Sequence, residues 1–169
     1  MKFLLLVLLL VACNQTSSPA DSVKKSLDGL KRLDPVVLSQ LAGGKDVLKD
    51  TPEQAQTILK NAMGKLEYEI LNTETKDNQA RVTVNLKVVE VGKMADLAMK
   101  SAQTKLGENA SKEERMNSAV EFFNEALKDS ALQMKSTQIK VYLEKNGNAW
   151  ELVSKENDEL GKALFKGVF

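Results

Sequence analysis

The chain has 169 residues, one cysteine, no histidine, and 24 basic against 23 acidic side chains. Without histidine there is no imidazole base, no Ser-His or Cys-His nucleophile and no ordinary Cys/His zinc set, which leaves carboxylate, lysine, tyrosine or all-oxygen metal chemistry. One cysteine cannot close a disulfide within the chain, and the balanced charge supplies no global field to draw nucleic acid.

The chain begins MKFLLLVLLLVAC, with Lys2 ahead of ten apolar residues, Phe3 to Ala12. As a helix that run spans roughly 15 Å, half a bilayer's hydrocarbon thickness, so it reads as an export signal and not as a membrane span. Leu10-Val11-Ala12-Cys13, followed by the polar run NQTSS, resembles the lipobox of bacterial lipoproteins. The resemblance implies a signal peptide over residues 1–12, cleavage between Ala12 and Cys13, and a diacylglyceryl and acyl lipid on the Cys13 thiol as the one covalent addition, with no other cofactor and no metal. A competing site is Ser18-Pro19-Ala20, a loose small-x-small sequence whose use would release a soluble secreted protein. A buried Cys13 in a core helix fits less well, because the run is not amphipathic.

Residues 13–20 are expected to form the lipidated end and tether, and residues 21–169 a single domain. Cleavage after Ala12 leaves 157 residues, enough for one core. The tether from Asn14 to Ser18 reaches at most roughly 18 Å. The expected location is the bacterial cell membrane, and the outer one in a host with two, since Asn14 is not the aspartate that retains lipoproteins at an inner membrane.

Ser18-Pro19 caps a helix carrying Val23, Leu27 and Leu30 to about Leu33. Asp34-Pro35 starts a short helix with Val37, Leu38 and Leu41, stopped by Gly43-Gly44. Thr51-Pro52-Glu53-Gln54 is a capping box for a third helix through Ala55, Ile58, Leu59 and Ala62. The period then changes from helical to alternating. In RVTVNLKV the residues Val82, Val84, Leu86 and Val88 alternate with polar ones, the pattern of a strand with one buried face. Its hairpin partner is YEILNTET, with Tyr68 opposite Leu86, Ile70 opposite Val84, and Lys76-Asp77-Asn78 as a three-residue loop with Asn78 left-handed.

Lys93–Leu106 predicts a weak amphipathic helix. Ser111-x-x-Glu114 boxes another, with Met116, Ala119, Val120, Phe123 and Leu127 as one apolar stripe. In IKVYLEKNGNAWELV the Asn146-Gly147 pair predicts a two-residue turn, pairing Leu143 with Trp150 and Val141 with Leu152. NDELGKALFKG closes the chain as a short helix with Leu160, Leu164 and Phe165.

Helices, a hairpin, helices, then a hairpin with tryptophan after its turn: this order, with QARVTVNLKVVEVG and KNGNAWELVSKENDEL as its most specific stretches, resembles small bacterial lipoproteins of unknown function whose domain is similar to nuclear transport factor two (cystatin-like). The resemblance implies an α+β fold in which N-terminal helices pack on a curved, cone-like antiparallel sheet, with helices inserted between two hairpins. In that fold the sheet curls around a pocket, lined here by Tyr68, Ile70, Val84, Leu86, Val141, Leu143 and Trp150, with Val82, Ile139 and Leu152 also facing inward. Enzymes of the family place an Asp and a His there, and this chain has no His.

Tyr68 and Trp150 either fill the core or recognise a ligand through their rings and OH and NH groups. Met94, Met99, Met116 and Met134 are too scattered for a shared patch. KDNQ and KENDEL lack the alternating oxygens and glycine of a calcium loop. The expected function is a non-catalytic binding or accessory domain, anchored to a membrane and contacting a small apolar ligand, an envelope component or a protein, but not nucleic acid. The alternatives are a cone-fold enzyme using Asp, Glu or Tyr, and a structural envelope or adhesion protein.

Overall fold

The computed structural model describes residues 17–41, 48–49, 51–107, 109–129, 132 and 134–165. Cys13, the signal run and Gly43-Gly44 lie outside them. Helix α1, Pro19–Lys31, is capped by Ser18, whose hydroxyl accepts from the Asp21 amide at 3.1 Å. It ends in a Schellman motif: the Asp34 amide donates to Gly29 O and the Leu33 amide to Leu30 O. Leu33 takes the left-handed conformation there, φ 53°, and burial of its side chain offsets a strain of about 1 kcal/mol. Asp34 then accepts from the amides of Val36 and Val37 and starts α2, Pro35–Leu41. Gly29 lets α2 close on α1, since a Cβ there would lie 2.7 Å from Val37 Cγ2.

Helix α3, Glu53–Gly64, starts one residue later than its capping sequence suggests, with Pro52 at the cap position, and the Gln56 side-chain Nε2 donates to the carbonyls of Leu48 and Thr51. Strands β1, Glu67–Lys76, and β2, Gln79–Val88, form the first hairpin. Tyr68 opposes Leu86 and Ile70 opposes Val84, as expected. Beyond them the register departs from expectation, because a bulge at Leu71 pairs Asn72 with Thr83 and Lys76 with Gln79. The loop therefore shortens to Asp77-Asn78, and Asp77, not Asn78, is left-handed at φ 54°. The reason lies in the side chains. An unbroken ladder would turn Asn72 and Glu74 onto the apolar face; the bulge puts Thr73 and Thr75 opposite Val82 and Ala80 instead, and brings Glu74 onto Arg81 as an ion pair.

Helix α4, Val91–Leu106, precedes α5, Lys112–Lys128. The latter has its full capping box: the Glu114 amide donates to Ser111 Oγ at 3.1 Å and the Ser111 amide to Glu114 Oε2 at 2.8 Å. Strand β3, Lys135–Asn146, then returns beside β2, with Val82 opposite Val141 and Val84 opposite Ile139. Strand β4, Ala149–Leu152, completes an antiparallel sheet of order β1-β2-β3-β4, curved and unclosed.

The second turn is Gly147-Asn148, not Asn146-Gly147, so Leu143 opposes Leu152 and Lys145 opposes Trp150. The expected pairs, Leu143 with Trp150 and Val141 with Leu152, are displaced by two residues. A slide of two leaves every side chain on its own face, so facing alone cannot choose between the registers. The observed one places Gly147 at the position needing φ +60° and sets Lys145 Nζ 6.0 Å from the Trp150 ring centre. A 3₁₀ turn, Ser154–Glu156, leads into α6, Asp158–Phe165.

Two apolar cores result. Helices α1, α2, α3 and α6 cover one face of the sheet with Leu27, Leu30, Leu38, Leu59, Met63, Leu160 and Leu164. On its other side α3 presents Ala62 to α4 and α5, where Phe123, Leu127, Met94 and Ala98 form the second core. The opposite sheet face carries Arg81, Thr83, Asn85 and Lys87 on β2 beside Tyr142, Lys140 and Gln138 on β3, and Thr83 at its middle is buried. No helix among the described residues is long and apolar enough to cross a membrane.

Candidate functional site

The expected pocket residues do share one face, but they do so as core. Val82, Val84, Leu86 and Val141 are 0% exposed and Leu143 is 1% exposed, because they share one buried cluster with side chains of α1, α2, α3 and α6, of which α1 and α6 lie against the sheet. Tyr68, Ile70 and Trp150 pack at the edges of the same cluster, half-buried. Of these eight, Leu143 alone borders one of the larger clefts described, on the hairpin rim with Tyr142 and Glu156. The surface that was to hold a ligand is occupied by the protein's own helices, and that is the correction to the cone-pocket expectation.

Tyr68 has a specific partner. Its hydroxyl donates to Asp28 Oδ1 at 2.9 Å, and Lys31 Nζ stands 5.7 Å from its ring centre. Both partners lie on α1, one turn apart, so the three side chains fasten the first helix to the edge strand. Burial first, then the bond to Asp28, raises the Tyr68 pKa above its ordinary 10.0. The phenol is thereby kept neutral and donating.

A larger cleft, about 950 Å³, lies where α1, α3 and α5 end together. Helix α1 brings Lys31 and its C-cap Arg32, α3 brings Lys60 and its C-cap Lys65, and α5 brings Lys128. Asn61 of α3 donates to Asn124 of α5 at 2.9 Å and ties two of the walls together. Among the described residues lining it, five are cationic and none is acidic. The other clefts among the described residues mix signs: Lys93, Lys135 and Lys162 stand with Glu90 and Asp96 in one, and Lys140 with Glu156, Asp158 and Glu159 in another.

Each cation has a local reason to be there, since lysine and arginine favour the negative ends of helices. Three helix C-termini together contribute about 1.5 negative charges, at about half a charge each. Glu125, which pairs with Lys128 at 3.0 Å, and the neighbouring Asp129 add two more. Asp28, beside Lys31 at Tyr68, adds a third, which against five cations leaves an excess of roughly half a positive charge. Arg32, Lys60 and Lys65 have no ion pair among the described residues. Sequence reasoning missed this site because its cations come from three separated segments. The available signal was a lysine or arginine closing each of three helices.

Fold and site thus define an α+β domain with a filled, one-sided sheet and a basic cleft at one end of its helical layer. No protein-family model matches the chain, and no curated protein matches it. A solved structure of ycdA from Bacillus subtilis, a candidate lipoprotein, is similar at 16% identity and a TM-score of 0.49. The match covers 87% of this chain and 50% of that one, so the chain spans about half the length of the solved protein.

Proposed function

We propose that the chain is an exported lipoprotein, held on a membrane through Cys13, whose folded domain binds at its surface and does not turn over a substrate in an interior cavity. The observation that carries the second half is the filled sheet: Val82, Val84, Leu86 and Val141 meet helices where a cone-fold enzyme holds its substrate. The anchoring half rests on Leu10-Val11-Ala12-Cys13 following the apolar run. Two acyl chains hold a protein on a bilayer stably, at about 0.8 kcal/mol per buried methylene, where one chain does so only marginally.

The feature that favours an enzyme instead is the Tyr68 and Asp28 pair. Its chemistry points the other way. A base for proton transfer wants a pKa near working pH, and Tyr68 is shifted upward, away from it. The pair is better placed as a strut between α1 and β1.

The test is metabolic labelling with palmitate in a bacterial host. Wild type takes the label and enters the detergent phase on extraction, and Cys13→Ala does neither. Label kept by Cys13→Ala would overturn the anchor.

A further inference from the structure

We infer that the cleft at the converging ends of α1, α3 and α5 binds a phosphate-bearing polymer, with Arg32, Lys60 and Lys65 as its principal contacts. The inference builds on the reading of the domain as an anchored binding module. Three features of the cleft select the ligand. Its walls are single-signed where the other clefts are mixed, so the ligand is an anion. It is open, and Arg32, Lys60 and Lys65 are exposed, so the ligand is held by charge and not enclosed. No aromatic side chain stands among its described lining residues, which removes the stacking platform that single-stranded nucleic acid uses.

Charge magnitude separates a polymer from a single phosphate. An excess of roughly half a positive charge holds one solvated phosphate weakly, whereas repeated phosphates on one strand engage several cations together and release their counterions. Lysine and arginine contribute differently here. Arg32 offers a planar fork for two phosphate oxygens, while Lys60 and Lys65 act as point charges that tolerate a moving strand.

Lys31 and Ser18 lie at opposite ends of the 13-residue α1, about 20 Å apart, so the cleft stands at the end of the helix remote from the tether. A soluble headgroup competitor separates a lipid from a polymer in the titration below.

The experiment is a titration of the full chain, in non-ionic detergent micelles, with fluorescently labelled inorganic polyphosphate. Anisotropy should report saturable binding that weakens by roughly 20- to 40-fold between 50 and 200 mM salt, the slope of about three phosphate contacts. The triple variant Arg32→Glu, Lys60→Glu, Lys65→Glu should bind at least about tenfold more weakly at 50 mM salt. The control Lys93→Glu, Lys135→Glu, Lys162→Glu changes net charge equally in a mixed-sign cleft and should stay within about twofold of wild type. Circular dichroism melts test whether both variants fold; if the triple variant does not, Arg32→Gln alone should still weaken binding and lower the salt slope.

Equal weakening by both triple variants, or no binding by wild type, overturns the cleft. Displacement of polyphosphate by glycerophosphoglycerol, a soluble lipid headgroup, at equal phosphate concentration would overturn the polymer and assign the site to single phosphates. The titration needs the folded cleft and not the lipid on Cys13, so a failed anchor leaves it readable.

Discussion

Asn157 is buried at 2% exposure and carries the junction between the sheet and the last helix, so its replacement is a sharp test of how that end of the fold is held. Strand β4 stops at Leu152, and the ladder along β3 would leave the Tyr142 backbone short of a partner. The Asn157 amide substitutes for the missing strand. Its Oδ1 accepts from the Tyr142 amide at 3.0 Å, and its Nδ2 donates to Tyr142 O at 2.8 Å and to Val153 O at 3.0 Å. In Asn157→Ala the carbonyls keep other donors, Val153 N for Tyr142 O and Glu156 N for Val153 O. The loss falls on the Tyr142 N–H, which is left with no partner, at about 2 kcal/mol. Asn157→Asp keeps the acceptor but turns an anionic oxygen toward two carbonyls, and should cost more than Asn157→Ala. Urea unfolding followed by the single tryptophan, Trp150, reads this as a midpoint lowered by about 1 M for the alanine variant. Hydrogen exchange should show the Tyr142 amide losing protection first. A change below about 0.5 kcal/mol for Asn157→Ala, or an Asn157→Asp variant as stable as wild type, would refute the reasoning.

Tyr68→Phe removes the bond to Asp28 and should cost about 1 kcal/mol at pH 7, measured by the same unfolding curve. Because folding raises the Tyr68 pKa, its contribution is complete below the ordinary value of 10.0 and is lost as pH rises through the higher folded value; Tyr68→Phe should therefore lose less stability than wild type as pH rises above 10.0. Trp150→Ala, at a half-buried ring, should cost about 2 kcal/mol and not the 3 to 5 kcal/mol of a full core truncation, as read by circular dichroism. Gly29→Ala gains helix propensity of about 1 kcal/mol but forces a Cβ against Val37, and should lower the melting temperature; in a Val37→Ala background the same change should become neutral or stabilising.

Most of the fold was legible because helix starts and strand periods are local signals. Ser18, Asp34 and Ser111 accept from the amides two or three residues on, and Val82, Val84 and Leu86 turn inward as their alternation requires. The two hairpin errors share a cause: register depends on contacts across the strands. The bulge at Leu71 left a trace, a change of parity from Tyr68 and Ile70 to Thr73 and Thr75, whereas the two-residue slide at Gly147 left none. The expected pocket failed for a different reason. An apolar strand face looks the same in sequence whether a ligand or a helix covers it, and here α1, α2, α3 and α6 cover it. The basic cleft escaped notice because balanced totals conceal cations gathered at one end of the helical layer.

The most direct test of the anchored-domain account is the mass of the first tryptic peptide of the protein recovered from bacterial membranes. The account predicts a peptide that begins at Cys13, ends at Lys24 and carries a diacylglyceryl group on the thiol. A peptide beginning at Asp21, or one running unmodified across Ala12 and Cys13, would contradict it.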